Sequence, residues 1–366
     1  MENRLRRMRA AMDDSGIESF FCTDLSNVKW LTGFDGVFDD EPAHTLFVTA
    51  DEAAMHTDSR YAQAACNAAE GTPWQVDASG GSHAAWVADR AVCRSLAIED
   101  SMTLAAYRSL TAALDAARAC GPSGESPRET GDFVRRLRAV KDTAEIDAMR
   151  AAQAITDAAF EHIAGFMRIG MTEREVQLEL EETMRRMGAE DLAFSSIVAS
   201  GANGVAPHSI PGGKRLEEGD MVVLDFGARK NGYCSDMTRT VCMGRATDEA
   251  RRVFAAVRAA NEAVEAMLRP GITGAQAHEL AEQVLAREGF ARKMGHGLGH
   301  GVGVDIHELP NLSPRNQTPL EAGNVVTVEP GVYLGGVLGC RLEDFGVITE
   351  DGFEVFTKST HELVII

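Results

Sequence analysis

The chain has no run of roughly 18 apolar residues, the length a bilayer-spanning helix needs. No helical membrane span is expected on that ground. The opening MENRLRRMRAAMDD has no apolar stretch of the kind that marks a secretory signal. Basic charge is scarce, with 36 Lys and Arg against 55 Asp and Glu and a formal net charge of −19. That excess argues against nucleic-acid and anionic-lipid partners and fits a cytoplasmic protein. Cysteine is sparse and unpatterned, seven residues with no C-x-x-C pair, which argues for reduced thiols and against a disulfide framework or a thiolate metal site.

What the chain does have is length for more than one core, 366 residues. Short apolar runs (SFFCT, HTLFVTA, SLAIE) alternate with helical stretches over residues 4–14 and 107–120, which predicts a small α/β module. CGPSGESPRETG, residues 120–131, interrupts this pattern and marks the domain boundary, so we expect domains 1–125 and 126–366. A long amphipathic helix over 132–167, broken near 141–143, is expected to follow.

Beyond it the chain repeats itself. MRIGMT (167–172) and LRPGIT (268–273) each end in a Thr followed three residues later by Glu175 or Gln276, the signature of a capping box. LEEGDMVVLDFG (216–227) aligns with LEAGNVVTVEPG (320–331) at a similar offset. The spacing predicts two halves related by duplication about a pseudo-two-fold axis, with Asp225 of one copy falling on Glu329 of the other.

Four acids stand out against their surroundings. Asp225 in MVVLDFGA and Glu329 in VVTVEPGVYL occupy runs that read as strands covered on both faces. A lone carboxylate there must be protonated, paired or metal-bound. Asn231-Gly232 predicts a hairpin. Opposed residues of a hairpin have numbers of constant sum, and a loop of even length makes that sum odd. Asp225 and Asp236 then share one face, opposed or diagonal. Glu343, in CRLEDFGVI, is a fourth acid in an apolar strand, with Arg341 and Asp344 beside it as the material for an ordinary ion pair. Each acid alone reads as structural; the four together point to a shared cation site.

HGLGHGVGVDIHELP (296–310) gathers His296, His300 and His307 with four glycines, in a stretch of little secondary-structure propensity. Glycines supply almost no side-chain packing, so some of these imidazoles are expected to face a cavity or ligand. One imidazole added to four carboxylates makes an oxygen-rich donor set suited to two divalent ions, Mn, Co or Zn, whose charge the acids balance. Such a pair activates water and polarises a carbonyl, so hydrolysis is the implied chemistry. His208, in the loop VASGANGVAPHSIP, and His307 are candidate hydrogen-bond donors to a tetrahedral intermediate. His44, His56, His83, His162, His278 and His361 have no comparable setting and read as structural.

NVKWLTGFDG, HTDSRYAQAA, LRAVKDTAEIDAMRAA, SGANGVAPHSIP, DFGARKNGYCSDMTRT, GHGLGHGVGVDIHE, TVEPGVY and CRLEDFGV, in this order, closely resemble the metal-dependent Xaa-Pro peptidases. This is the aminopeptidase P and prolidase group, which shares the pita-bread fold with methionine aminopeptidase and creatinase. The resemblance implies an α+β protein, a pita-bread catalytic domain behind a smaller α/β creatinase-type N-terminal domain, and hydrolysis of the bond preceding proline in short peptides. It implies Asp225, Asp236, His300, Glu329 and Glu343 as metal ligands, Glu329 also orienting or deprotonating water. It implies His208, His296 and His307 as contacts to substrate and intermediate, Arg341 in a polar network, and Thr238 and Thr327 holding ligand carboxylates. A homodimer is implied as well. Where some prolidases carry an arginine that binds a dipeptide's carboxylate, HELPNLSP has Asn311, which leaves substrate length open. The fold also hosts non-catalytic binding proteins and amidohydrolases of other C–N bonds. Retention of all five ligands speaks against the former and against creatinase, and the N-terminal module against methionine aminopeptidase.

Overall fold

Apolar runs near the N-terminus become strands of one sheet because their side chains are buried along the whole length of each. The computed structural model describes residues 2–34, 36–39, 41–118 and 126–366. In its first unit, Met1–Arg138, a six-stranded mixed sheet runs Gln75–Asp77, Ala53–His56, Thr45–Thr49, Ser19–Cys22, Leu96–Ile98, Arg128–Glu129. Ser19–Cys22 pairs antiparallel with Thr45–Thr49 and parallel with Leu96–Ile98. Phe21, Phe47 and Ile98 pack with Trp86, Val87, Leu110 and Leu114 of the helices His83–Ala91 and Leu104–Arg118. Each such side chain contributes about 1.5–3 kcal/mol when fully buried.

The boundary expected at 125/126 adjoins residues 119–125, which lie outside the described ones. The compact units divide further on, at Arg138/Ala139. Two features tie the intervening segment to the first unit. Arg128–Glu129 pairs with Leu96–Ile98, and the Phe133 ring sits 5.4 Å from that of Phe20.

The helix expected over 132–167 is two helices, Phe133–Ala139 and Thr143–Phe166. Between them Val140 bridges to Asn324. Asp142 then opens the second helix with a capping box, its carboxylate accepting the Glu145 N–H at 3.0 Å.

Duplication in the second unit, Ala139–Ile366, holds at the level of single bonds. Helices Glu173–Arg186 and Gly274–Arg287 both start in capping boxes, on Thr172 and Thr273. Gly170 N–H donates to the Leu216 carbonyl at 2.8 Å, and Gly271 N–H to that of Leu320 at 2.9 Å. Thr172 bridges to Arg215 and Thr273 to Pro319. Asp220 accepts the Glu217 N–H and Asn324 that of Glu321, each at 2.9 Å.

Each copy lays a helix pair on a sheet. In the first, Phe160, Ile163, Val176 and Leu180 pack on Val222, Leu224 and Phe226 of the strand Met221–Phe226. In the second, Val253, Val257, Ala281 and Leu285 pack with Val326 and Val328 of the strand Val325–Val328. Side chains alternate between the faces of a strand. The even-numbered residues therefore fill the two helix-facing cores, and the odd-numbered residues 223, 225, 327 and 329 turn the other way.

Candidate metal centre

The first copy contributes through an antiparallel ribbon. Met221–Phe226 pairs with Met237–Cys242 so that Asp225 faces Thr238. Past a break at Gly227 the same register continues, with Lys230 facing Tyr233. Asn231 and Gly232 close it with φ of 51° and 76°, both positive as a type I′ turn requires. Asp236, two residues before Thr238, therefore shares the face of Asp225, as the parity argument expects.

The second copy repeats the arrangement. Val328 faces Asp344 in the ladder of Val325–Val328 with Asp344–Ile348, and one step further along that register Glu329 lies across from Glu343. An isolated bridge joins Glu343 to Thr238. Asp225, Thr238, Glu343 and Glu329 thus form one row drawn equally from the two copies.

His300 enters on the strand Gly299–Gly301. A β-carbon on Gly299 would lie 2.1 Å from the Thr327 carbonyl oxygen, and one on Gly301 2.3 Å from that of Leu309. The glycines are there because neighbouring backbones close on them. This corrects the expectation for 296–310, which holds the strands Gly299–Gly301 and Glu308–Leu312. The His300 Nδ1–H can only donate to the Gly301 carbonyl, 3.0 Å away. Nε2 is left with its lone pair 3.5 Å from Asp236 Oδ2 and 3.6 Å from Glu329 Oε1.

Asp236, His300 and Glu343 each place a ligand atom within 4.8 Å of the others. Thr238 donates to Glu343 Oε2 at 2.7 Å and Thr327 to Glu329 Oε1 at 3.4 Å. Asp225 pairs with the Arg341 guanidinium, yet its buried Oδ1 has no hydrogen-bond partner among the described residues. The alternative explanation for Glu343, a pairing of Arg341 with Asp344, is not formed. Asp344 instead takes Arg239 at 2.7 Å and His361 at 2.8 Å.

Burial dominates the electrostatics. It pushes Asp236 and Glu343 far above the usual carboxylate range, with neighbouring carboxylates adding to the rise. Glu329 is raised to about 8 by burial, against the opposing pull of Arg341. Desolvation lowers His300 to about 4, the nearby His307 contributing, so its imidazole is neutral and able to ligate.

These groups open onto a cavity of about 900 Å³ that touches all nine candidate site residues, His208, Asp225, Asp236, His296, His300, His307, Glu329, Arg341 and Glu343. His208 and His307 belong to different copies, and the His307 ring lies 4.4 Å from that of His300. Phe194, Ile197, Pro207, Ile210 and Ile306 supply an apolar wall.

One residue escaped sequence reading. The Tyr333 hydroxyl receives Arg341 at 2.9 Å and meets His296 Nε2 at 2.9 Å, while His296 Nδ1 donates to the Gly297 carbonyl at 2.7 Å. A hydrogen-bonded chain therefore runs from Asp225 through Arg341 and Tyr333 to His296. The signal was present in TVEPGVY, where an amphipathic ring closes a site motif.

A second group, Glu265, Asp344 and His361, also brings ligand-type atoms together. Burial raises Asp344, but Arg239 and His361 outweigh it and hold it at about 2. Its carboxylate is satisfied by those two cations and by Asn261 at 3.3 Å, so Asp344 belongs to an ion-pair network, while Glu265 is raised to about 8 by burial and its Oε1 has no partner among the described residues.

Residues 147–350 match the description Metallopeptidase family M24, and residues 4–140 match Creatinase/Prolidase N-terminal domain. The uncharacterized peptidase YqhT of Bacillus subtilis is 38% identical over 367 residues, covering 99% of this chain and 100% of that protein. The Xaa-Pro dipeptidase of Pyrococcus furiosus is 37% identical over 237 residues, 65% of this chain and 68% of that protein. Among solved structures, an Xaa-Pro dipeptidase from Bacillus anthracis superimposes with a TM-score of 0.91 at 35% identity, covering 100% of this chain and 99% of that one. An X-Pro aminopeptidase from Thermotoga maritima MSB8 gives 0.85 at 32% identity, covering 99% and 100%. Likeness of this extent in both sequence and fold assigns the chain to metallopeptidase family M24, with a creatinase/prolidase N-terminal domain ahead of a pita-bread catalytic domain.

Proposed function

We propose that this metallopeptidase hydrolyses the bond preceding proline in short peptides, releasing the N-terminal residue, at a centre for two divalent cations held by Asp225, Asp236, His300, Glu329 and Glu343. The observation that carries the reading is the row of acids from both copies together with the unpartnered, buried Asp225 Oδ1. Three buried carboxylates and the partly exposed Glu329, with one guanidinium among them, are short of positive charge, and the donor set fits cations that favour oxygen with one imidazole. Mn suits it, with Co and Zn as alternatives. Bound there, such cations supply Lewis acidity and make water acidic near neutral pH.

The remaining roles fall to the chain's own groups. Thr238 and Thr327 orient the carboxylates of Glu343 and Glu329 through the bonds given above. Glu329, at the end of the row beside His300, is suited to take a proton from the attacking water and return it to the departing prolyl nitrogen. That nitrogen carries no hydrogen in the substrate, so cleavage requires its protonation. His208 and His307 donate to the tetrahedral oxyanion, and His296 and Arg341, joined through Tyr333, hold the peptide. The apolar wall receives the pyrrolidine ring and the preceding side chain. This reading makes the enzyme a cytoplasmic homodimer, the location supported by its net charge of −19.

The test compares an Xaa-Pro dipeptide, an Xaa-Pro tripeptide and an Xaa-Ala dipeptide on metal-reconstituted protein. Cleavage confined to the proline peptides is expected, and their ratio assigns the length preference that Asn311 leaves open. Indifference to proline would favour an amidohydrolase of other C–N bonds. Full turnover by metal-stripped protein would refute the mechanism.

A further inference from the structure

We propose that the buried Lys141–Glu308 ion pair is a positioning device for His307, tethering the loop that presents this imidazole to the cavity. The inference rests on the role given to His307 above. His307 ends the loop 302–307 between the strands Gly299–Gly301 and Glu308–Leu312.

Three contacts impose the conformation of this loop from outside. Glu308 Oε1 accepts the Asp305 N–H at 2.9 Å. Lys141 Nζ donates to Glu308 Oε2 at 3.2 Å. The Cys234 N–H donates to the Gly303 carbonyl at 2.8 Å. The Glu308 carboxylate also fills the space beside Gly303, where a β-carbon would come within 2.5 Å of Oε2. Lys141 is itself fixed, because its N–H donates to the Gly323 carbonyl at 2.8 Å and the next residue caps the helix Thr143–Phe166. The loop is thus referred to the start of the longest helix in the catalytic unit.

Energetics favour a positioning role over a stabilising one. The Lys141 and Glu308 side chains are 1% and 4% exposed. Desolvating two ions offsets most of their attraction, and an apolar pair of similar size is often as stable or more so. What the charged pair adds here is direction: Glu308 follows His307 immediately, so holding its carboxylate at both oxygens fixes the backbone that aims the ring. Misplacing a reacting group by about 1 Å can cost about 100-fold in rate.

The experiment uses two double variants of the full-length protein, beside His307→Ala. Lys141→Met with Glu308→Leu removes both charges of the pair together with the acceptor for Asp305. It is expected to melt at or above the wild-type Tm and to retain the wild-type metal content. Its kcat on an Xaa-Pro dipeptide falls roughly 10- to 100-fold. In the metal-free protein its His307 imidazole resonance, identified by its absence from His307→Ala, shifts and broadens. Lys141→Met with Glu308→Gln keeps an acceptor for Asp305 and regains most of the lost kcat. Wild-type turnover in the Met/Leu variant, beside an impaired His307→Ala, overturns the positioning role alone. So does a collapse of the Met/Leu variant's Tm, which would make the pair a requirement of folding. A fully active His307→Ala overturns the role of His307 and the inference with it.

Discussion

Thr238 stands at the middle of the row of acids, facing Asp225 on one side and bridged to Glu343 on the other. Its hydroxyl proton goes to Glu343 Oε2, and its oxygen receives Arg341 Nε at 3.1 Å. Removing the hydroxyl frees the Glu343 carboxylate to rotate while leaving every proposed ligand in the chain. Thr238→Val should therefore weaken divalent-cation binding roughly 10- to 100-fold, read by calorimetric titration of stripped protein; unchanged affinity would mean that Glu343 needs no orienting partner. At this scale legibility follows from conflict. Asp225 and Glu329 are visible in the sequence because a carboxylate in an apolar strand contradicts its surroundings. Tyr333 and Lys141 contradict nothing locally, and their partners His296 and Glu308 lie 37 and 167 residues away.

Among the elements, the Gly299–Gly301 strand is tightly constrained, because Thr327, Leu309 and the His300 ligand nitrogen all depend on its path. Gly299→Ala places a methyl group where the Thr327 carbonyl now sits, at 2.1 Å. The strand cannot move without losing the His300 N–H bond to Thr327 Oγ1 at 3.0 Å. We expect a loss of about 3 kcal/mol in urea unfolding together with reduced metal affinity; wild-type stability would contradict this packing. The hairpin at Asn231-Gly232 and the two capping boxes on Thr172 and Thr273 were readable because each rests on local chemistry within four residues. Gln75–Asp77 and Arg128–Glu129 were not, since edge strands of three and two residues carry no alternation to detect.

At the scale of the whole molecule, the two units obey different chemistry. The first is held by its sheet and contains a histidine pair, the buried His56 and the half-buried His83, whose Nδ1 atoms lie 2.7 Å apart. Only one of these nitrogens can donate to the other, so a second proton would set two N–H groups against each other. Burial, reinforced by His56, lowers His83 to about 4 from its ordinary 6.5. The unfolded chain takes up this proton as pH falls below about 6.5 and the folded chain does not until about 4, so His83 stabilises fully above 6.5 and its contribution is lost across that window. The urea midpoint of the wild type should fall between pH 7 and pH 5 by more than that of His83→Gln. Parallel curves would remove His83 as the cause.

The second unit is held by repetition, and the duplication legible in LEEGDMVVLDFG and LEAGNVVTVEPG is what brings acids from distant segments into one row. In that unit, this row and His300 are proposed to form one paired cation centre. Anomalous diffraction from crystals soaked in Mn tests it most directly. Two peaks per chain about 3.5–4 Å apart are expected, in contact with Asp225, Asp236, His300, Glu329 and Glu343. A single peak, or density at Glu265, Asp344 and His361 instead, would contradict it.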